Sequence, residues 1–177
     1  GLRWQGNPQF EHEQHRLFPS QFLFNAVKGH DAEYISLQRD EGAEHRPKWV
    51  KEVPLNSWED TQQAIASCDL VVTSCTSVAH LSASMGIPTW IVVPILPYYL
   101  WAKPGMTTEW YNSVKLFRQA TYGEWTTPFM EIKKHLNEVM NNANTNRILD
   151  SGRERSSEGR VGLSAHYGTE GGPSRVA

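Results

Sequence analysis

The amino-acid sequence predicts an α/β fold: a doubly wound, mostly parallel sheet with helices on both faces, Rossmann-like in plan. Two observations carry this. Asp69-Leu70-Val71-Val72-Thr73 and Thr89-Trp90-Ile91-Val92-Val93 are continuous apolar runs, as expected of strands covered on both faces. Helical patterns of about ten residues alternate with the strand patterns, which implies parallel crossover units.

The elements follow in order. Leu2 to Gln5 reads as a short strand ended by the turn signal Gly6-Asn7-Pro8. Pro19 to Lys28 reads as a helix, with Pro in its first turn. Phe22, Leu23, Ala26 and Val27 form its apolar face, and Gly29 ends it. Glu33 to Leu37 is a strand pattern. Ser57, with Asp60 three residues on, has the form of a capping box. The helix it opens runs through Ala64, Ile65 and Ala66. Ser77 to Met85 is a helix closed by Gly86, and Pro94 closes the Thr89–Val93 strand. Val114 to Phe117 is a further strand. Thr127 to Met140 is an amphipathic helix carrying Phe129, Ile132, Leu136 and Val139.

The 177 residues are enough for one ordinary domain. A division is expected near residue 141. Residues 1–140 carry the periodic apolar pattern, whereas 141–177 hold six of the 13 glycines and few large apolar residues. Such a tail cannot bury enough surface to offset its chain entropy, so disorder is expected there. A net charge of −2 argues against a general electrostatic grip on nucleic acid or an anionic membrane. No segment has the ~18–20 apolar residues of a membrane span, and the first residues lack the basic-then-apolar pattern of a signal peptide. Cys68 and Cys75 are too few for a disulfide framework and read as buried free thiols. The expectation is a soluble cytoplasmic protein. Gly1 opens almost directly onto a strand, so a fragment with its true N-terminus upstream is also expected.

In doubly wound sheets ligands sit beyond the carboxyl ends of the strands, where strand order reverses. The segments to inspect are 6–16, 38–44, 74–80 and 94–111. The sharpest is Asp69 to Leu81, where a buried strand runs into Ser74-Cys75-Thr76-Ser77 and then a helix. The first N–H groups of a helix lack partners and sit at its positive end, so a phosphate or pyrophosphate is a natural ligand. A plain N-cap at Thr76 or Ser77 is an equal reading. His80, one turn in, is by pattern alone more simply a core histidine than a ligand.

The run Val71-Val72-Thr73-Ser74-Cys75-Thr76-Ser77-Val78-Ala79-His80-Leu81, continuing to Pro94, resembles the strand–helix–strand signature of the heptosyltransferase-like glycosyltransferases. It is most similar to the variant found after tetratricopeptide repeats, V-D-T-S-V-A-H-L-A-G-A-L-G-K-P-V-W-x-L-L-P. Trp4-x-Gly6-Asn7-Pro8 with Arg16 is similar to the opening W-x-G-N-P…D-R-x-R-S of that family. Ser36-Leu37-Gln38, Asp60-Thr61 and Trp110-Tyr111…Leu116-Phe117-Arg118-Gln119…Gly123-x-Trp125 match further blocks in the same order.

The resemblance implies one half of a GT-B fold, the domain that binds the nucleotide-sugar donor in inverting, metal-independent transfer. No cofactor or metal is expected. By that resemblance Thr76, Ser77, Val78 and His80 lie at the donor diphosphate. Asn7 and Arg16 lie near the phosphates or the transferring sugar, and Gln38 lies near the nucleoside. Arg16 suits this on chemistry, since a guanidinium gives bidentate, charge-assisted bonds to phosphate. The acceptor side and the catalytic base would come from an N-terminal domain or repeats outside this chain. A degenerate module that binds nucleotide or nucleotide sugar without turnover is the alternative.

The sequence departs from the family pattern in informative places. The acid before the Thr is Cys75, which is no charged acceptor near neutral pH unless its pKa falls. The family's H-x-N-D-R loop becomes Phe10-Glu11-His12-Glu13-Gln14, and the Ser after the Arg becomes Leu17. Its P-x-x-D-W-R-W becomes Pro94-Ile95-Leu96-Pro97-Tyr98-Tyr99-Leu100-Trp101. His12, His15, Glu11 and Glu13 match no metal-site spacing and read as solvated loop residues. Asp40, Glu41 and Glu44 read as an exposed acidic loop. The aromatic loop with Tyr98, Tyr99, Trp101, Trp110 and Tyr111 reads equally as packing over the sheet edge or as a lid that stacks sugar or base.

Overall fold

In a computed structural model the chain forms four strands, β1 (Leu2–Arg3), β2 (Val71–Ser74), β3 (Thr89–Val93) and β4 (Val114–Arg118), and five α-helices. The helices are α1 (Glu13–Arg16), α2 (Ser20–Val27), α3 (Trp58–Ala66), α4 (Ser77–Ser84) and α5 (Thr126–Glu158). The structure describes residues 1–10, 12–39 and 41–158, with residues 146–158 by backbone alone.

The sheet is all parallel, in the order β1-β2-β3-β4. Two isolated parallel bridges extend it past β1: Leu2 to Ser36, and Ile35 to Lys51. The Leu2 N–H donates to Ile35 O and Leu2 O accepts from Leu37 N, while the Val72 N–H donates to Gly1 O. Ser36 and β2 therefore lie on opposite edges of β1. In space the order is Lys51, Ile35–Ser36, β1, β2, β3, β4. The chain moves outward from β1 in one direction, then returns to continue from β1 in the other. This is the doubly wound, Rossmann-like arrangement, and strand order reverses between β1 and β2.

Alternation along the strands separates two packed faces. Ile91, Val93, Val114 and Leu116 pack with Ala79 and Ala83 of α4. Val71 packs with Leu37, Val78 and Ile65 of α3. On the opposite face Trp90 and Phe117 lie 5.2 Å apart by ring centroid and both meet His135 of α5. Phe129 of α5 packs against Phe18 and against Phe22 of α2. Trp4 meets Phe24 of α2 edge-on at 5.0 Å. Helices α3 and α4 thus cover one face, and α2 with the part of α5 that carries Phe129 and His135 the other.

Local signals explain the element ends. Ser57 Oγ accepts from Asp60 N at 3.0 Å, and the Asp60 carboxylate accepts from Ser57 N at 3.1 Å, a complete capping box for α3. Gly29 (φ 103°) follows α2, and Gly86 (φ 75°) follows α4. At α4 the Gly86 N–H donates to Ala83 O and the Ile87 N–H to Ser82 O, a Schellman closure that needs the left-handed residue.

Three expectations are corrected. The pattern at Glu33–Leu37 forms single bridges rather than a strand, and β1 stops at Arg3. The reason is Gln38: its side-chain oxygen accepts from Trp4 N (3.2 Å) and Gln5 N (3.0 Å), and its amide donates to Gln5 O (3.1 Å). A side chain replaces the ladder there. Second, residues 13–16 form a helical turn instead of open loop. Third, Cys68 is only half-buried, whereas Cys75 is buried, and both are free thiols.

The molecule divides into two units, Gly1–Asn137 and Glu138–Ala177. Helix α5 continues past Asn141 to Glu158, in a stretch without Pro and with a single Gly, so nothing local stops it. The rest of the expected tail, 159–177, lies outside the described residues, as do Glu11 and Asp40. Among the described residues no helix is long and apolar enough to cross a membrane.

Candidate functional site

The reversal of strand order puts the segments after β1 and β2 side by side, and a cleft of about 1150 Å³ opens there. It is lined by Gly6, Asn7 and Arg16 from the first segment and by Cys75, Thr76, Ser77, Val78 and His80 from the second.

Arg16 joins the two segments. Its Nη1 donates to Cys75 O and its Nε to the Glu13 carboxylate, each at 2.5 Å, and its guanidinium lies 4.8 Å over the Phe10 ring. Glu13 is 5% exposed, and its other oxygen accepts from Gly6 N at 2.7 Å. A carboxylate is tolerated at that depth because it is paired and hydrogen-bonded. Glu13 is therefore not the solvated loop residue expected. A Cβ on Gly6 would overlap Arg16 and Glu13. The one available sequence signal was that glycine, placed where the chain must approach other groups closely.

At the end of β2, Thr76 is the N-cap of α4 but makes no side-chain cap hydrogen bond. Its hydroxyl lies 3.4 Å from that of Thr73 instead. The plain N-cap is thus not the arrangement present, and Ser77 stands exposed at the first helical position. The Ala79 N–H of that turn donates to Thr76 O at 3.0 Å, and the first N–H groups, which have no acceptor one turn back, put positive potential at this end of the helix. Among the described residues that line the cleft there is no carboxylate, whereas Arg16 and Arg39 both line it. An anion is the ligand such a lining favours.

His80 is half-buried. Its ring stacks on Trp101 at 5.1 Å, and Nδ1 lies 3.2 Å from the Tyr111 hydroxyl. Burial holds its pKa below the ordinary imidazole value, so the ring is neutral near pH 7. Cys75 is 6% exposed. Burial raises its thiol pKa, although the Trp101 indole, which donates to Sγ at 2.9 Å, and Arg16 pull the other way. The thiol is neutral at neutral pH and holds no charge for a ligand.

Six of the seven expected ligand residues come together: Asn7, Arg16, Thr76, Ser77, Val78 and His80 all line the cleft. Gln38 does not. It lines a smaller neighbouring pocket, and its amide is spent on the backbone of Trp4 and Gln5. The aromatic loop divides between its two readings. Trp101 is fully buried and Tyr111 packs on the core, while Tyr98 and Tyr99 are exposed and line the cleft. Trp58 and Arg39 also line it, and pattern alone did not single them out. Among the described residues no three His, Cys, Asp or Glu side chains converge as a metal-binding group. Compared with models of protein families, with curated proteins and with solved structures, the chain matches none.

Proposed function

We propose that this domain binds a nucleoside-diphosphate sugar, with the diphosphate over the N-terminus of α4. In this reading it is the donor half of an inverting, heptosyltransferase-like glycosyltransferase of the GT-B type. The single observation that carries the reading is the uncapped first turn of α4, opening into the cleft at the strand-order reversal with Arg16 fixed beside it. Backbone N–H groups, the helix dipole and a guanidinium together bind a diphosphate and stabilise charge developing on it as it leaves. Ser77 adds a hydroxyl, and neutral His80 adds a ring nitrogen. No step of this binding calls on a metal.

Cys75 favours a second reading, a module that binds the donor without turnover. The neutral thiol stands where the resembling family has a carboxylate, and its sulfur already accepts from Trp101. It cannot orient donor hydroxyls as a charged acceptor. Both readings require the same binding site.

Titration of the chain with UDP, ADP and GDP, followed by tryptophan fluorescence, tests the site. Binding is expected to weaken about tenfold or more in Arg16→Ala, on loss of a charge-assisted contact. It should also weaken in Ser77→Val. Absence of binding by all three nucleotides, or binding unchanged in both variants, would refute the assignment. Release of nucleotide from a nucleotide sugar by the complete protein separates the enzyme from the binding module.

A further inference from the structure

We infer that the exposed pair Tyr98–Tyr99 is the platform for the glycosyl unit of the donor, so that the sugar lies on the β3 side of the α4 N-terminus. This rests on the donor reading above and adds the direction in which the donor lies.

Tyr98 is 52% and Tyr99 66% exposed, yet the loop carrying them is held firmly. The Ile95 N–H donates to the Gln119 side chain at 3.1 Å, and the Trp101 N–H donates to Tyr98 O at 2.8 Å. Arg118 Nη1 donates to Trp101 O at 2.7 Å, its Nε to Gly105 O at 2.7 Å, and its Nη2 to Lys103 O. Trp101 itself is fully buried. Two large aromatic side chains are therefore presented to water by an anchored loop, at one wall of the cleft.

The topology gives the cleft two arms. The loop after β3 lies on one side of the β2–α4 turn. Arg39 and Trp58 enter from the other side, beyond the β1 edge. A diphosphate at the turn directs its two substituents into these arms, base into one and sugar into the other. The arms differ in shape. The Tyr98 and Tyr99 rings pack on each other, 4.5 Å apart by centroid and inclined at 53°, and present one angled outer corner rather than a slot between parallel rings. A pyranose suits such a corner: its C–H face rests on one ring while its hydroxyls meet the two phenolic oxygens. Trp58 offers a single indole, 53% exposed, beside Arg39, whose Nη2 donates to Asn56 O at 3.2 Å. A flat indole next to a guanidinium suits a planar base.

The test compares nucleotides with their sugar conjugates. The full chain is titrated calorimetrically with UDP, ADP and GDP, then with UDP-glucose, ADP-glucose and GDP-mannose. Tyr98→Ala/Tyr99→Ala should leave nucleotide affinity within about twofold and lower conjugate affinity about tenfold, as expected for loss of one aromatic contact surface. Tyr98→Phe/Tyr99→Phe, which keeps the rings, should lower conjugate affinity alone and by less. Equal loss for nucleotide and conjugate, or no loss for either, would overturn the platform while leaving the donor site intact. Failure of the unmodified chain to bind any nucleotide would overturn the donor reading and this inference with it.

Discussion

At the residue scale, the site depends on Arg16, which its neighbours hold in place, and on His80, which burial keeps neutral near pH 7. Arg16 is held by Glu13, Cys75 O and Phe10, so its orientation exists before any ligand arrives. Glu13→Ala would leave Gly6 N without its acceptor and Arg16 without its carboxylate partner. The expected loss is about 1–3 kcal/mol of stability, read as a lower urea midpoint. His80 carries a pH prediction. Burial depresses its pKa in the folded state, so between that value and the unfolded value of about 6.5 the unfolded chain binds more protons. Stability from this group is therefore intact above pH ~6.5 and falls as pH drops toward the folded value. Thermal unfolding from pH 8 to pH 5 should show a steeper acid loss for the unmodified protein than for His80→Gln. Identical profiles would contradict the assignment.

Some of these residues were legible and some were not. Thr76 and Ser77 stand where a strand runs into a helix, where backbone polarity creates anion sites, whereas Arg16 and His80 are expected at the site through the family resemblance and not from their positions alone. Glu13 could not be read, because an acid among His12, Gln14 and His15 has the composition of a solvated loop. Only the folded position of Gly6 explains its burial. Gln38 fell the other way. The family resemblance implies a place for it near the nucleoside, but its amide replaces the missing ladder bonds of Trp4 and Gln5.

At the element scale, the contrast between α3 and α4 is central. Both reach the cleft with their first turns, through Trp58 and Thr61 and through Ser77 and Val78. Helix α3 satisfies its own N-terminus with Ser57 and Asp60, whereas α4 has no side-chain cap. Ser57→Ala should cost about 1 kcal/mol, which for a chain of this size is a fall in Tm of roughly 2–4 °C. Scanning calorimetry would detect it, and an unchanged Tm would mean the box adds nothing. The boundaries of α3, α4 and β3 were readable from Ser57 and Asp60, Gly86 and an apolar run, whereas β2 begins at Val71, two residues past the expected Asp69. Helix α1 was not readable, because a single turn carries no periodicity and no cap; its stability comes from tertiary contacts of Glu13.

At the scale of the whole molecule, the parallel sheet follows from alternating strand and helix patterns, but the site follows from strand order. That order rests on two single-residue bridges, Leu2 to Ser36 and Ile35 to Lys51; the strand pattern at Glu33–Leu37 is legible, but not the edge of β1 on which it pairs. The bridges place the reversal between β1 and β2 and so bring Gly6–Arg16 against Cys75–His80. The central claim is that a diphosphate sits at this junction, on the N–H groups of α4. Amide chemical-shift mapping of the 15N-labelled protein during titration with a nucleoside diphosphate tests it most directly. The largest shifts are expected at Thr76, Ser77 and Val78, with a second group at Gly6 and Asn7. Saturating nucleotide that moves other amides and leaves these unshifted, or that moves none, would contradict it.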